Sequence, residues 1–294
     1  ISDNPEGQRE VGSEKKSRDM LQSLSFAKKS ISFPEEIHYD KHDGYLVWII
    51  SFIDQEKVFV AHSIQEQFFI TLRAFEAQES FHATTFEHLK KVGDVFPILN
   101  GREYFKEFDR FRNSINSNYG NKGIDTTMAR AEEFLKSNKE NIDRYSNHLT
   151  HTDFVPHNFR LNKNTVYVLD CVPNYSTVHF GNKYEGWARF LNYMMLHNSP
   201  LEKLLSEYIR KNRGEDEYLS LRLMRVYKAG YLLDYYAGSI KKTEGDLRTL
   251  TELRLGFWNK AMKAVMEDSP LSEKIISEYK QKRDQLRSVE EKER

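Results

Sequence analysis

The chain has 294 residues, enough for one large domain or two lobes, and its 39% hydrophobic and 13% aromatic residues can fill a substantial core. The 44 Lys and Arg are matched by 44 Asp and Glu, so the formal charge of zero gives no electrostatic case for nucleic acid or an acidic membrane surface. A single cysteine, Cys171, excludes an intrachain disulfide framework and points to a reducing, cytoplasmic setting; no apolar run reaches the length of a membrane span and no signal peptide is visible.

In chain order, residues 1–13 are polar and carry Pro5, Gly7 and Gly12, which predicts a loop. From Glu14 onward, Met20, Leu21, Leu24 and Phe26 fall at helical intervals, and Ser32 and Pro34 end the pattern. Residues 36–39 predict a short strand, 40–44 a turn closed by Gly44, and 45–50 a buried strand that residues 51–55 leave. Ile64, Phe68, Phe69, Leu72, Phe75, Phe86 and Leu89 predict a helix over 62–92, its aromatics read as core. After a break around Pro97, Tyr104, Phe105, Phe108 and Phe111 predict a short helix and 116–123 a loop. Thr126 or Thr127 is the expected cap of a helix from Met128 to about Asn147. Further on, a helix starts near Tyr184, and four more cover 201–211, 218–241, 247–267 and 271–291, separated by Gly- and Pro-containing stops. The charged stretch 278–294 reads as a solvated helix that frays. Tyr227, Tyr231, Tyr235 and Tyr236 form a stripe expected to be core first and substrate-facing second.

The chemistry concentrates in residues 149–170. Phe159 to Leu161 starts a strand, 162–164 is turn material, and 165–169 is a β-branched and aromatic return strand. A loop and hairpin of this kind bring Asp153, Asn158 and Asp170 together. Phosphoryl transfer from a nucleotide is mostly positioning and charge neutralisation: one carboxylate orients the attacking hydroxyl and takes its proton, while hard oxygen donors hold Mg²⁺ against the phosphates. Asp153 suits the first role, and Asn158 with Asp170 the second.

His151-Thr152-Asp153, with Asn158 five residues after the Asp and Asp170 beyond the hairpin, resembles the catalytic loop and metal-binding Asp of the protein-kinase-like phosphotransferases. Within them it is closest to the aminoglycoside phosphotransferase and choline kinase group. Thr152 stands where Gly is commoner, and Cys171-Val172 replaces the Phe-Gly or Trp-Glu that follows the Asp elsewhere. The resemblance implies an α+β, protein-kinase-like fold. Residues 1–54 would be a small, truncated, β-containing N-terminal lobe, and 55–294 a large, mainly helical C-terminal lobe. It implies ATP and Mg²⁺ as cofactors and a small-molecule hydroxyl as acceptor. Asp153 would be the catalytic base, and Asn158 and Asp170 the metal ligands beside the nucleotide. Glu14, with Glu10 as the alternative, would pair with a phosphate-binding strand Lys. Adenine would bond to the backbone carbonyl of Ser51 and the N–H of Ile53. No Gly-rich phosphate loop and no such Lys is found, and Ile1-Ser2 would be the tail of the strand that carries the Lys upstream, so the chain is expected to be truncated at its N-terminus. The run 181–188 matches a family helix start, with Glu185-Gly186 where an Asp is usual, and the preceding segment carries no activation-loop phosphorylation signal.

Three other readings compete. His148 and His151 are spaced three apart with no Glu between, unlike helical zinc sites. No Gly-x-Ser-x-Gly elbow supports a serine hydrolase. A non-catalytic, kinase-like binding module is the main alternative, because the Lys and Gly-rich loop are missing while Asp153, Asn158 and Asp170 are kept. A cationic acceptor would call for carboxylates, for which Glu215, Asp216, Glu217 and Asp234 are candidates.

Overall fold

Asn4 opens the first helix. Its side chain accepts the Gly7 N–H at 2.7 Å and Pro5 takes the first helical position, so α1 runs over Pro5–Ser23. The expected loop at 1–13 is therefore largely helix: Asn-Pro acts here as a start signal rather than a breaker. The computed structural model describes residues 1–24, 31–55, 57–85, 89–163, 165–173 and 177–287; Phe26, Phe86, Asn164 and 288–294, named in expectations above, lie outside them.

Packing divides the chain into two compact units, Ile1–Asn100 with Tyr145–Phe190, and Gly101–Arg144 with Leu191–Arg294. The first unit holds all the strands described. β1 (Ile31–Ser32), β6 (Thr165–Val168) and β5 (Phe159–Asn162) form one sheet, with β1 parallel to β6 and β6 antiparallel to β5. β2 (Glu36–His42) and β3 (Tyr45–Ile50) form a hairpin, and β4 (His148–His151) pairs antiparallel with β7 (Val178–Gly181). Asp43 and Gly44 both take positive φ, 50° and 85°, the two-residue hairpin turn that suits strand twist. The strand at 45–50 is less buried than expected. Leu46 is its buried residue, whereas Tyr45 is 45% and Ile49 46% exposed, since α1 is the helix packed on this hairpin. Ser2 exchanges both backbone hydrogen bonds with Leu46, at 3.0 and 2.8 Å, an isolated antiparallel bridge to β3. β1 and the β4–β7 pair carry no sequence pattern long enough to reveal them.

Ser63 and Glu66 cap α2 (Ile64–Thr85) reciprocally. The Glu66 carboxylate accepts the Ser63 N–H at 2.7 Å, and Ser63 Oγ accepts the Glu66 N–H at 3.3 Å. The short α3 (Leu89–Gly93) follows. Of the α2 aromatics, Phe75 is core, stacked on Trp187 at 4.4 Å and edge-on to Phe190 at 5.4 Å, whereas Phe69 is exposed. Phe154, Phe159 and Phe59 extend this cluster.

The second unit is helical. α4 (Gly101–Asn118) is longer than expected, and α5 (Lys122–Ser137) starts well before Met128. Asn121 caps α5, its side chain accepting the Ile124 N–H at 3.1 Å. Thr126 and Thr127 do not cap; their hydroxyls bond back to the carbonyls of Lys122 and Gly123, at 2.9 and 3.0 Å. Asn121→Ala is expected to cost ~1 kcal/mol of stability; a thermal unfolding curve identical to the parent's would reject the cap. Asn138 breaks the single predicted helix before α6 (Lys139–Arg144). α7 (Glu185–His197) carries the chain into α8 (Ser199–Arg213), α9 (Glu215–Ser239), α10 (Gly245–Met266) and α11 (Glu273–Leu286). α9 is the hub. Tyr227 meets Tyr104 edge-on at 4.8 Å, and a Cβ at Gly230 would lie 2.5 Å from the Phe108 ring, so α4 and α9 pack in close contact. The tyrosine stripe divides: Tyr227 is buried and Tyr235 is 61% exposed. The α+β class, with small sheets and a large helical part, is as the sequence led us to expect.

Candidate active site

β4 delivers the chain to the loop, and β5 carries it away. Thr150 to Thr152 are fully buried or nearly so, and the Thr152 N–H donates to the Thr177 carbonyl at 2.5 Å. Gln78 of α2 is completely buried and donates from Nε2 to the His151 carbonyl at 2.9 Å. Phe154 drops into the aromatic cluster, leaving Asp153 part-exposed on the other side. The loop is thus held by its flanking residues while its carboxylate stays accessible.

Asp153 and Asn158 are in direct contact. Asn158 Nδ2 donates to Asp153 Oδ2 at 3.0 Å and to the Asp153 carbonyl at 2.8 Å. Using Nδ2 in this way turns the Asn158 carbonyl oxygen away from Asp153, free to face a cation. Arg189 of α7, which sequence reasoning missed, donates from Nε to Asp153 Oδ1 at 2.7 Å. It lies 36 residues from Asp153 with no local motif to mark it.

Asp170 follows β6 and has φ 53°, the left-handed region that Asp tolerates better than most residues. The Leu169 N–H donates to the Asn158 carbonyl at 2.9 Å, which ties the end of the hairpin to the loop. His151 Nε2 lies 3.0 Å from the Leu169 carbonyl and 2.9 Å from the Asp170 carbonyl. Both are acceptors, so Nε2 carries the hydrogen, and His151 braces the loop. Partial burial of the Asp170 carboxyl raises its pKa; the His151 ring opposes this, and the charges of Glu14, Asp153 and Glu10 add to it. The residue nonetheless keeps an open outer surface. The structure therefore brings Asp153, Asn158 and Asp170 together, with Glu14 and Glu10 within electrostatic reach of Asp170.

Glu14 accepts a hydrogen bond from Arg18 Nη2 at 2.9 Å and a long one, 3.4 Å, from the Cys171 N–H. Arg18 is 5% exposed and its guanidinium lies over the Trp48 ring at 4.7 Å. The Ser51 N–H donates to the Glu35 carbonyl at 2.8 Å and Ser51 Oγ accepts the Glu35 N–H at 2.8 Å. Among the described residues no hydrogen bond uses the Ser51 carbonyl or the Ile53 N–H, the two groups expected to meet adenine. A cleft of ≈ 540 Å³ opens beside this segment, lined by Asp54, Lys57, Phe59, Pro156 and Leu161 among others.

Cys171 is buried and burial pushes its thiol well up, so it packs and stays protonated. Among the described residues no group of three or more His, Cys, Asp and Glu could hold a metal ion. An amide and a carboxylate beside further negative charge fit a hard divalent cation that takes its other ligands from phosphates and water. The acidic residues weighed for a cationic acceptor serve other ends. Glu215, Asp216 and Glu217 occupy the first turn of α9, where negative charge suits the helix dipole. Asp216 pairs with Arg144 and Asn141, Glu215 with Arg210 at 2.6 Å, and Asp234 with Arg110 at 3.3 Å. No described helix is long and apolar enough to cross a membrane.

No protein-family model matches the sequence, and no curated protein matches it. Solved structures do. The apo form of a thermostable mutant of aminoglycoside phosphotransferase APH(4)-Ia superposes with a TM-score of 0.64 at 12% identity, over 88% of this chain and 84% of that one. A ternary complex of a thermostable mutant of the same phosphotransferase, with AMP-PNP and hygromycin B, gives 0.61 at 13% identity, over 88% and 84%. ADP-bound APH(2'')-Ib gives 0.56 at 13% identity, over 87% and 83%. At such identities the likeness speaks for architecture, and at that level it agrees with the resemblance carried by residues 151–170: this chain has the protein-kinase-like fold of the aminoglycoside phosphotransferases.

Proposed function

We propose that the chain is an ATP- and Mg²⁺-dependent phosphotransferase that moves a γ-phosphoryl group to a hydroxyl of a small molecule. The observation that carries this reading is the convergence of Asp153, Asn158 and Asp170 through the β5–β6 hairpin, in a fold whose solved examples include ADP-bound and AMP-PNP-bound phosphotransferases. Asp153 receives the proton of the acceptor hydroxyl. Arg189 and Asn158 each use one lone-pair site on a different carboxylate oxygen, and a carboxylate offers about four such sites in all. Asn158 and Asp170 hold Mg²⁺, which when bound neutralises charge on the phosphates. The Ser51 carbonyl and Ile53 N–H meet the adenine edge, and Glu14 pairs with the Lys that binds the phosphates. The division at residue 54 into a small and a large lobe belongs to this proposal, as does a cytoplasmic location.

An ATP-consumption assay with a panel of hydroxyl-bearing small molecules, aminoglycosides and choline among them, tests the activity. Asp170→Ala tests the metal role: Mg-nucleotide affinity by calorimetry should fall by about tenfold or more, as loss of a charged ligand does. Unchanged affinity would reject it. A second reading, a kinase-like module that binds nucleotide or partner without turnover, is favoured by one observation: the Glu14 carboxylate is paired with Arg18. Mg-nucleotide binding with no consumption of ATP across the panel would select it.

A further inference from the structure

One cation stands at the proposed base with most of its donors unspent. Arg189 lies one helical turn beyond Glu185, whose carboxylate is fully buried against His179 of β7 at 2.8 Å. β7 pairs with β4, so the backbone beneath Arg189 is tied to the strand that delivers the loop. Arg189 Nε donates to Asp153 Oδ1 at 2.7 Å. Among the described residues Nη1 and Nη2 donate to no group, neither is a covered atom of the interior, and the side chain is 17% exposed. A guanidinium offers its N–H groups as a planar fork that matches a carboxylate or a phosphate. With Nε spent on the base, the Nη1–Nη2 edge remains for a second anion.

Which anion it meets follows from the side it occupies. Asn158 holds the other oxygen of the base, Oδ2, at 3.0 Å, and Asn158 is the residue proposed to face the cation and, through it, the phosphates. Arg189 holds the oxygen away from the nucleotide. An acceptor hydroxyl comes within about 2.6–3.2 Å of a carboxylate oxygen to hand over its proton. A group on the neighbouring carbon of that acceptor then falls within reach of Nη1 and Nη2.

The charge around the loop has the same sign. Arg160 donates from Nη1 to the carbonyls of His157 and Phe159, at 2.9 and 3.0 Å, and among the described residues it meets no carboxylate. Burial lowers the pKa of His157; Asp153 and Asp170 oppose this, and Arg189 and Arg160 add to it, so both guanidinium charges act at the loop. Asp170 is taken up by Mg²⁺ in the phosphotransfer reading. Three of the acids weighed for a cationic acceptor, Glu215, Asp216 and Asp234, are paired with arginines.

We propose that Arg189 selects the acceptor: a small molecule with a carboxylate or phosphate beside the hydroxyl to be phosphorylated, its anionic oxygens accepting from Nη1 and Nη2 while the hydroxyl meets Asp153. The proposal rests on the phosphotransfer reading and narrows it from hydroxyl acceptors at large to anionic ones.

The test is NMR titration of the whole chain, saturated with Mg-AMP-PNP, with glycerate, glycerol 3-phosphate, glycerol and choline. The two anions keep the hydroxyl frame of glycerol and add a charged group. At least one should bind about tenfold or more tighter than glycerol, and the tighter of the two names the anion; choline should bind no better than glycerol. In Arg189→Gln the preference for anion over glycerol should vanish. Arg189→Lys keeps the charge without the fork and should retain part of it. Mere support of Asp153 by Arg189 would weaken all four probes alike and leave the preference in place. If Arg189→Gln does not unfold cooperatively, Arg189→Lys and the parent's preference carry the test. A parent that binds Mg-AMP-PNP but favours neither anion, a parent that favours choline, or a preference that persists in a cooperatively folded Arg189→Gln would each overturn the proposal alone. A parent that does not bind Mg-AMP-PNP would overturn the phosphotransfer reading and the proposal with it.

Discussion

Asp153→Asn should lower phosphoryl transfer by about 10²- to 10⁴-fold, the usual consequence of removing a positioned base, and leave the fold intact. The substitution keeps the shape of the side chain and removes its charge. One oxygen can still accept from Arg189 Nε, which now lies 2.7 Å from Oδ1. The other position becomes an NH₂ facing the Asn158 NH₂ across a 3.0 Å gap, two donors where one acceptor stood. Asn158 can relieve this by flipping its amide, which would aim its NH₂ at the place proposed for the cation. Two measurements therefore separate the effects. Turnover at saturating substrate reports the lost base, and Mg-nucleotide affinity reports the Asn158 flip. Turnover like the parent's in the variant would remove Asp153 from the base role.

Gly186→Ala should destabilise the protein by about 1–3 kcal/mol, the range for overpacking a well-filled interior, and disturb the loop that carries Asp153. A Cβ at Gly186 would lie 2.4 Å from the His151 carbonyl oxygen and 2.3 Å from Gln78 Nε2. Gln78 could turn aside, but its Nε2 holds that same carbonyl at 2.9 Å, so moving it frees the strand. The carbonyl belongs to β4 and has no such freedom. The expected result is a lower midpoint in denaturant with an unchanged slope, and a drop in turnover greater than that of an equally destabilising change far from the loop. An unchanged midpoint would show that the first turn of α7 can retreat from β4. The glycine makes room for the loop, while Glu185 beside it is completely buried against His179 at 2.8 Å.

The parts of the fold that could be read from sequence are those set by short-range chemistry. The β5–β6 hairpin declared itself through turn residues between β-branched runs, and the C-terminal helices through periodicity and Gly or Pro stops. Asp153, Asn158 and Asp170 were legible because the loop fixes two of them and the hairpin returns the third. The start of α1 is not legible because Asn-Pro serves both turns and helix caps, and its meaning depends on where the Asn side chain points. The start of α5 is not legible because Thr hydroxyls can cap or bond backward, and only the backbone decides which. β1 and β4 have two and four residues, and their partners are distant in sequence, so pairing rather than pattern defines them. Arg189 and Gln78 were invisible for the same reason: each is an unremarkable helix residue until tertiary packing sets it against the loop.

The turn at Asp170 has one more consequence. In an extended strand successive carbonyls point to opposite sides, so one ring nitrogen could not reach two in a row. The left-handed residue swings them to the same side, and His151 Nε2 meets both. Were residue 170 to relax into an extended backbone, one of the two acceptors would leave the imidazole. A single buried N–H therefore works as a gauge of how the neighbouring carboxylate is aimed, readable from its nitrogen frequency without any probe being attached.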